Sequence, residues 1–179
     1  MAPTDELELS AALALVREIP DFPEPGVLFR DLGPVFADGP AFRALIDGLA
    51  SSLDPATDVV VAIEARGFLL GAALAHATGL GVVPVRKPGK LPHDIEQEEY
   101  ELEYGTDLLE IHRDAISTGQ RVLVVDDVLA TGGTAAATVR LVERLGGEVA
   151  GLEFVIELAF LSGRTKLPGR DVHSLLVYG

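Results

Sequence analysis

The chain has 179 residues, 48% of them hydrophobic, with no cysteine and a formal net charge of -14. A sequence of this size can bury a sizeable core as one domain, and the lack of thiols excludes disulfides, thiolate nucleophiles and cysteine metal sites. An acidic chain without a dense run of Lys and Arg repels phosphate backbones, so nucleic acid is not an expected partner.

Leu9, Leu13 and Val16 share one face of an opening helix that must end by Pro20, because proline cannot continue a helix. Residues 20–26, Pro-Asp-Phe-Pro-Glu-Pro-Gly, form a stiff extended connector to a short strand or hook over residues 27–31. Pro40 marks the first turn of a helix carrying Phe42, Leu45, Ile46 and Leu49. Residues 59–63 are an unbroken apolar run, as a strand buried on both faces requires. The stretch 67–85 has no Asp, Glu, Lys or Arg, but Gly79, Gly81 and Pro84 break it. It therefore predicts a helix over 67–78 and a strand over 82–86 rather than a membrane span.

Periodicity then disappears over residues 87–104, which hold two prolines, one glycine and six acids. A long structureless loop inside a compact domain is expected to be functional. A strand over 108–112, a buried strand from Val122, a helix over 135–145 closed by Gly146 and Gly147, and strands over 148–158 and 173–178 complete the chain. The alternation predicts an α/β fold, a parallel twisted sheet flanked by helices. The N-terminus lacks the basic-then-apolar order of a signal peptide, so a cytoplasmic placement is the expectation, with no membrane partner.

The most informative run is residues 122–134, Val-Leu-Val-Val-Asp-Asp-Val-Leu-Ala-Thr-Gly-Gly-Thr. Its apolar start suits a buried parallel strand that stops in two carboxylates, Asp126 and Asp127, at the end where open α/β sheets bind ligands. Ala130, Thr131, Gly132, Gly133 and Thr134 then offer backbone N–H groups to one phosphate at a helix N-terminus. The spacing fits neither the Walker loop nor the dinucleotide fingerprint. Ionised Asp only accepts hydrogen bonds, so the pair suits the ring hydroxyls of a sugar phosphate.

Glu64-Ala65-Arg66-Gly67-Phe68 also joins a buried strand to a helix, and there Arg66 and the N–H of Gly67 make a second anion site. Arg86, Lys87 and Lys90 form the one cationic knot, opening a loop that brings cations over a ligand and excludes water. The four histidines, His76, His93, His112 and His173, show no metal-ligand spacing and are expected to be structural or on the surface.

The run 122–134 closely resembles the signature of type I phosphoribosyltransferases. Phe22-Pro23, residues 25–31, 65–68, 86–92, 102–105 and 163–167 resemble, in order, the adenine-using members of that family. The resemblance implies transfer of the 5-phosphoribosyl group from phosphoribosyl pyrophosphate to N9 of adenine, giving AMP and pyrophosphate, with magnesium held mainly by substrate and water, in a homodimer. It implies one domain over residues 1–179, with a base-binding hood at 1–35 and a mobile lid at 87–104. Asp126 and Asp127 would hold the ribose hydroxyls and residues 130–134 the 5-phosphate. Arg66, Gly67, Arg86, Lys87 and Lys90 would meet pyrophosphate, and the bond between Glu64 and Ala65 would be cis. Adenine would lie between Phe29 and Leu158, its edge read by main-chain groups of Leu28 and Arg30. On the lid, beside Tyr104, Glu103 would handle the proton at N7, whereas Glu98 and Glu99 are expected to be solvated acids. Two alternatives are a 6-oxopurine or orotate transferase, for which residues 153–158 offer no cationic donor, and a nucleotide-sensing regulator on the same fold, which the acidic balance disfavours.

Overall fold

The computed structural model describes residues 3–101 and 106–179, with side chains for residues 8–100 and 106–179. Glu103 and Tyr104 therefore lie outside the described residues. The chain divides into two compact units, Met1–Ser51 and Ser52–Gly179.

In the first unit, helix α1 (Pro3–Leu13) leads into strands β1 (Arg17–Pro20) and β2 (Leu28–Asp31). These pair antiparallel from Arg17↔Asp31 to Pro20↔Leu28, with an ion pair between the side chains of Arg17 and Asp31 closing one end. The helix stops earlier than proline alone demands, and Val16 falls outside it. The connector between the strands contains a cis Phe22–Pro23 bond, and the Gly26 N–H donates to Asp21 Oδ1 at 2.7 Å. A short helix α2 (Gly33–Ala37) precedes α3 (Gly39–Ser51). Pro40 sits in the first turn of α3, as its fixed φ favours, and the Ala41 N–H donates to Asp38 Oδ1 at 2.8 Å as an N-terminal cap. Leu45, Ile46 and Leu49 are buried on one face of this helix.

In the second unit a fully parallel five-stranded sheet has the order β4-β3-β7-β8-β9. Its strands are β3 (Val59–Ile63), β4 (Gly81–Val85), β7 (Arg121–Leu129), β8 (Glu148–Leu158) and β9 (Val172–Tyr178). Helix α4 (Gly67–Thr78) packs on β3 so closely that a Cβ on Gly71 would stand 2.5 Å from that of Ala62. Helix α5 (Gly133–Arg144) belongs to the core built on Val61, Val124, Leu141, Leu152 and Phe154. The expected α/β architecture is thus present, with the central strands apolar because both faces are covered.

Two expectations are corrected. Residues 95–101 are not loop: β5 (Ile95–Glu101) pairs antiparallel with β6 (Thr106–His112), in register from Ile95↔His112 to Glu101↔Thr106. The strand expected over 108–112 therefore belongs to this separate hairpin and not to the main sheet. Nor does the strand of the signature stop at the acids, since β7 continues to Leu129, with Val128 and Leu129 still paired to Ile156 and Glu157 of β8.

Candidate active site

Three strand ends, each turning directly into a loop or helix, bring the sequence-predicted groups of the second unit together. At the carboxyl end of β7, Asp127 is buried and Asp126 half-buried. The Asp127 N–H donates to Asp126 Oδ1 at 2.9 Å. Burial first, and the neighbouring charge of Asp127 second, raise the Asp126 carboxyl well above the usual range, more than the Asp127 N–H and the charge of Arg66 can offset.

The phosphate turn follows. Gly132 caps α5 with a φ of 76°, a left-handed conformation open to glycine, and Gly133 begins the helix. Ala130, Thr131, Gly132, Gly133, Thr134 and Asp126 line a cavity of about 70 Å³, enough for one phosphate group and too small for a nucleotide. The turn is backed by a segment to which the sequence assigned no role. A Cβ on Gly132 would meet the Gly163 carbonyl oxygen at 2.3 Å, and a Cβ on Gly163 would meet the Ala130 carbonyl oxygen at 2.3 Å. Arg164 fixes this approach, donating from Nε and Nη2 to the two oxygens of buried Glu157 at 2.7 Å each and from Nη1 to the Val172 carbonyl at 2.8 Å. The signal was the acid at the end of β8 followed one short turn later by Gly-Arg.

At the end of β3 the peptide bond between Glu64 and Ala65 is cis, as expected. Arg66 caps α4 and its Nε lies 2.6 Å from Asp127 Oδ2, so the expected pyrophosphate cation rests on the ribose-side acid. Gly67 admits no side chain, because a Cβ would come within 2.9 Å of both Asp126 Oδ1 and the Val125 carbonyl oxygen. The β3 and β7 turns are therefore one site.

Beyond β4, Arg86 and Lys90 both reach the Glu64 carboxylate, and the Lys87 N–H donates to Glu64 Oε2 at 2.9 Å. The Lys87 ammonium turns instead to Asp107 and to the Tyr100 hydroxyl. Partial burial works to raise the Glu64 carboxyl, but the Lys90 and Lys87 hydrogen bonds and the charges of Lys90 and Arg86 outweigh it and hold it below the usual range. Glu64 gathers three residues of the cationic knot, a role that sequence reasoning missed because its partners come from another loop.

The hairpin corrects one more expectation. Glu98 is no solvated acid: its carboxylate lies between Arg140 and Arg144 of α5, while Glu96 pairs with Arg144 at 3.1 Å and with Arg113 at 3.3 Å. Glu99 is exposed. In the first unit Leu28 is exposed, and the Phe29 ring packs edge-on against Phe22 with centroids 5.1 Å apart. Leu158 ends β8 in the second unit. His173 pairs with Asp171 at 3.1 Å and His93 stacks edge-on with His112, in keeping with structural roles.

A one-phosphate loop and an acidic pair at the end of one strand, beside a second anion-binding turn at the end of the next, define an enzyme of phosphoribosyl chemistry, and the chain belongs to the phosphoribosyltransferase family, whose domain model matches residues 36–171. Its relatives narrow this to the adenine-specific branch. The adenine phosphoribosyltransferase of Thermotoga neapolitana is 57% identical over 164 residues, covering 91% of this chain and 96% of that protein. That of Acidobacterium capsulatum is 53% identical over 179 residues, 99% of each chain. The crystal structure of the Thermoanaerobacter pseudethanolicus adenine phosphoribosyltransferase superposes with a TM-score of 0.92 at 54% identity, covering 95% of this chain and 99% of that one. The Saccharomyces cerevisiae enzyme, complexed with adenine and an imino-altritol bisphosphate, gives a TM-score of 0.86 at 43% identity, covering 98% and 100%.

Proposed function

We propose that this chain transfers the 5-phosphoribosyl group from phosphoribosyl pyrophosphate to N9 of adenine, releasing pyrophosphate and giving AMP. The observation that carries the reading is the union of the two turns, with Arg66 on Asp127 and Gly67 against Asp126. Breaking the bond from ribose C1 to pyrophosphate builds positive charge on the ring and negative charge on the leaving group, and preorganised groups of each sign lower that barrier. Asp126 and Asp127 accept the ribose hydroxyls and face the ring charge. The N–H groups of residues 130–134 hold the 5-phosphate, while Arg66, the Gly67 N–H, Arg86, Lys87 and Lys90 receive the pyrophosphate. Glu103 and Tyr104 would close over the base, Glu103 handling the proton at N7.

The donor set at the end of β7 is two adjacent carboxylates, which suits magnesium that keeps most of its coordination for substrate oxygens and waters. When bound, that ion supplies charge neutralisation at the leaving oxygens. Leu28, Phe29, Arg30 and Leu158 are proposed as adenine-binding residues on the family resemblance alone. A homodimer and a cytoplasmic location belong to the same reading. Among the described residues no helix is long and apolar enough to cross a membrane.

The test is Asp126→Asn and Asp127→Asn, each in an assay of AMP formation. Both variants should keep cooperative unfolding and lose turnover, because the amide preserves shape and removes the charge. Full turnover in both would leave the acidic pair structural and the reading without its physical basis.

A further inference from the structure

The cations proposed for pyrophosphate are already engaged by internal acids. Arg86 Nε lies 3.3 Å from Glu64 Oε2 and Lys90 Nζ bonds Oε1, while Lys87 Nζ bonds Asp107 and the Tyr100 hydroxyl. The Glu64 side chain is only 11% exposed, whereas those of Arg86, Lys87 and Lys90 are 32%, 36% and 43% exposed. Glu64 is therefore the more enclosed partner of its pairs, whereas Asp107, at 28%, is only somewhat less exposed than Lys87.

The loop that carries the cations takes one backbone bond from Glu64, accepted from the Lys87 N–H, and the rest of its frame from Glu110. The Arg86 N–H and carbonyl bond the Glu110 backbone at 2.9 and 2.8 Å, and the Gly89 N–H donates to Glu110 Oε2 at 3.0 Å. Gln97 in turn donates to Glu110 Oε1 at 2.8 Å, and the Arg86 guanidinium lies 5.7 Å from the centroid of the Phe68 ring. Beyond that one bond, Glu64 adds charge to a loop that Glu110 already holds. Half-exposed ion pairs of this kind are weak and exchangeable.

We infer that Glu64, with Asp107 as its counterpart for Lys87, is an internal place-holder for the pyrophosphate: it keeps Arg86 and Lys90 gathered in the free enzyme, yields them to the substrate, and recaptures them as the product leaves. This rests on the reading of those cations given above. In a chain of net charge -14, cations left without a local acid would be drawn to other carboxylates, so a place-holder keeps them aimed. Pyrophosphate carries more charge than one carboxylate and wins the exchange. The same carboxylate competes with bound pyrophosphate and speeds its departure. Glu64 is thus a positioning residue, and its removal should tighten the ligand, opposite to the loss of a contact.

The experiment measures pyrophosphate binding by calorimetry, with and without magnesium, for the intact enzyme and for Glu64→Gln, Asp107→Asn and Lys90→Ala. The Gln side chain can still accept from the Lys87 N–H, so the turn keeps that bond, and Asp107→Asn tests the same idea at a second position. Binding should tighten by about two- to fivefold in Glu64→Gln and Asp107→Asn and weaken in Lys90→Ala. In turnover, KM for phosphoribosyl pyrophosphate and kcat should fall together in the two acid variants, because product release slows. Unchanged or weaker pyrophosphate binding in the acid variants, or a raised KM, overturns the place-holder. A wild type that ignores pyrophosphate, or a Lys90→Ala variant that binds it equally well, overturns instead the underlying assignment of the cations.

Discussion

Replacing Glu153 with Gln should make the protein more stable at mildly alkaline pH and alter its pH dependence of unfolding. Glu153 lies in the middle of β8, between Val125 of β7 and His173 of β9 in register, and is 1% exposed. Burial dominates and pushes its carboxyl up to about 7, against a hydrogen bond from Ser52 and the attraction of His173, with Asp171 adding repulsion. A carboxyl raised in the fold gives stability that is fully present below its unfolded pKa, roughly 4.3, and is lost as pH rises through about 7. At about 1.4 kcal/mol per pH unit between roughly 4.3 and about 7, the stability lost is roughly 4 kcal/mol, most of it between pH 5 and pH 8. Glutamine keeps the shape and cannot ionise. Urea unfolding of both proteins at pH 5, 6, 7 and 8 reads the difference, which should grow by about 2 to 3 kcal/mol in favour of the variant across that range. A difference that stays constant with pH would refute the reasoning.

Three more outcomes follow from the site. Glu98 is held below the usual carboxylate range because the Arg140 and Arg144 hydrogen bonds and charges outweigh its burial, so the clamp on β5 holds at neutral pH and releases as pH falls through that lowered value. Arg144→Ala, or high salt in the wild type, should speed amide exchange over 95–101 and 106–112; unchanged exchange would show that the clamp does not hold the hairpin. Gly163→Ala drives a methyl into the Ala130 carbonyl, and should cost about 1 to 3 kcal/mol in unfolding while weakening ribose 5-phosphate binding; a neutral effect on both would deny the brace. Glu103→Gln should lower turnover by about 10² to 10⁴ with adenine binding retained, whereas Glu99→Gln should not, and equal activity would leave Glu103 without a catalytic part.

What the sequence revealed and what it hid divide along local and distant contacts. Val59–Ile63, the apolar start of β7 and the Gly-rich turns could be read because burial on both faces and positive φ are written in adjacent residues. The hairpin was misread because Glu96, Glu98 and Glu99 look like a solvated run. In the fold, Glu96, Glu98 and Tyr100 alternate onto one face, and two acids spaced for a strand meet Arg140 and Arg144 spaced one turn apart on α5. That complementarity exists only once β5 lies against the helix. Glu64 and Glu153 were passed over for the same reason, since a lone acid at a strand end or mid-strand gains meaning from partners brought by other elements. The steric need for Gly163 likewise resides in a carbonyl of residue 130, which sequence spacing alone does not reveal.

The most direct test of the central claim is to incubate the intact protein with phosphoribosyl pyrophosphate and magnesium, offering adenine, hypoxanthine, guanine and orotate in separate reactions, and to quantify nucleotide and pyrophosphate. AMP and pyrophosphate should form in equal amounts with adenine and at negligible rates with the other three. Preferred use of a 6-oxopurine or orotate, or no nucleotide with any base, would contradict it.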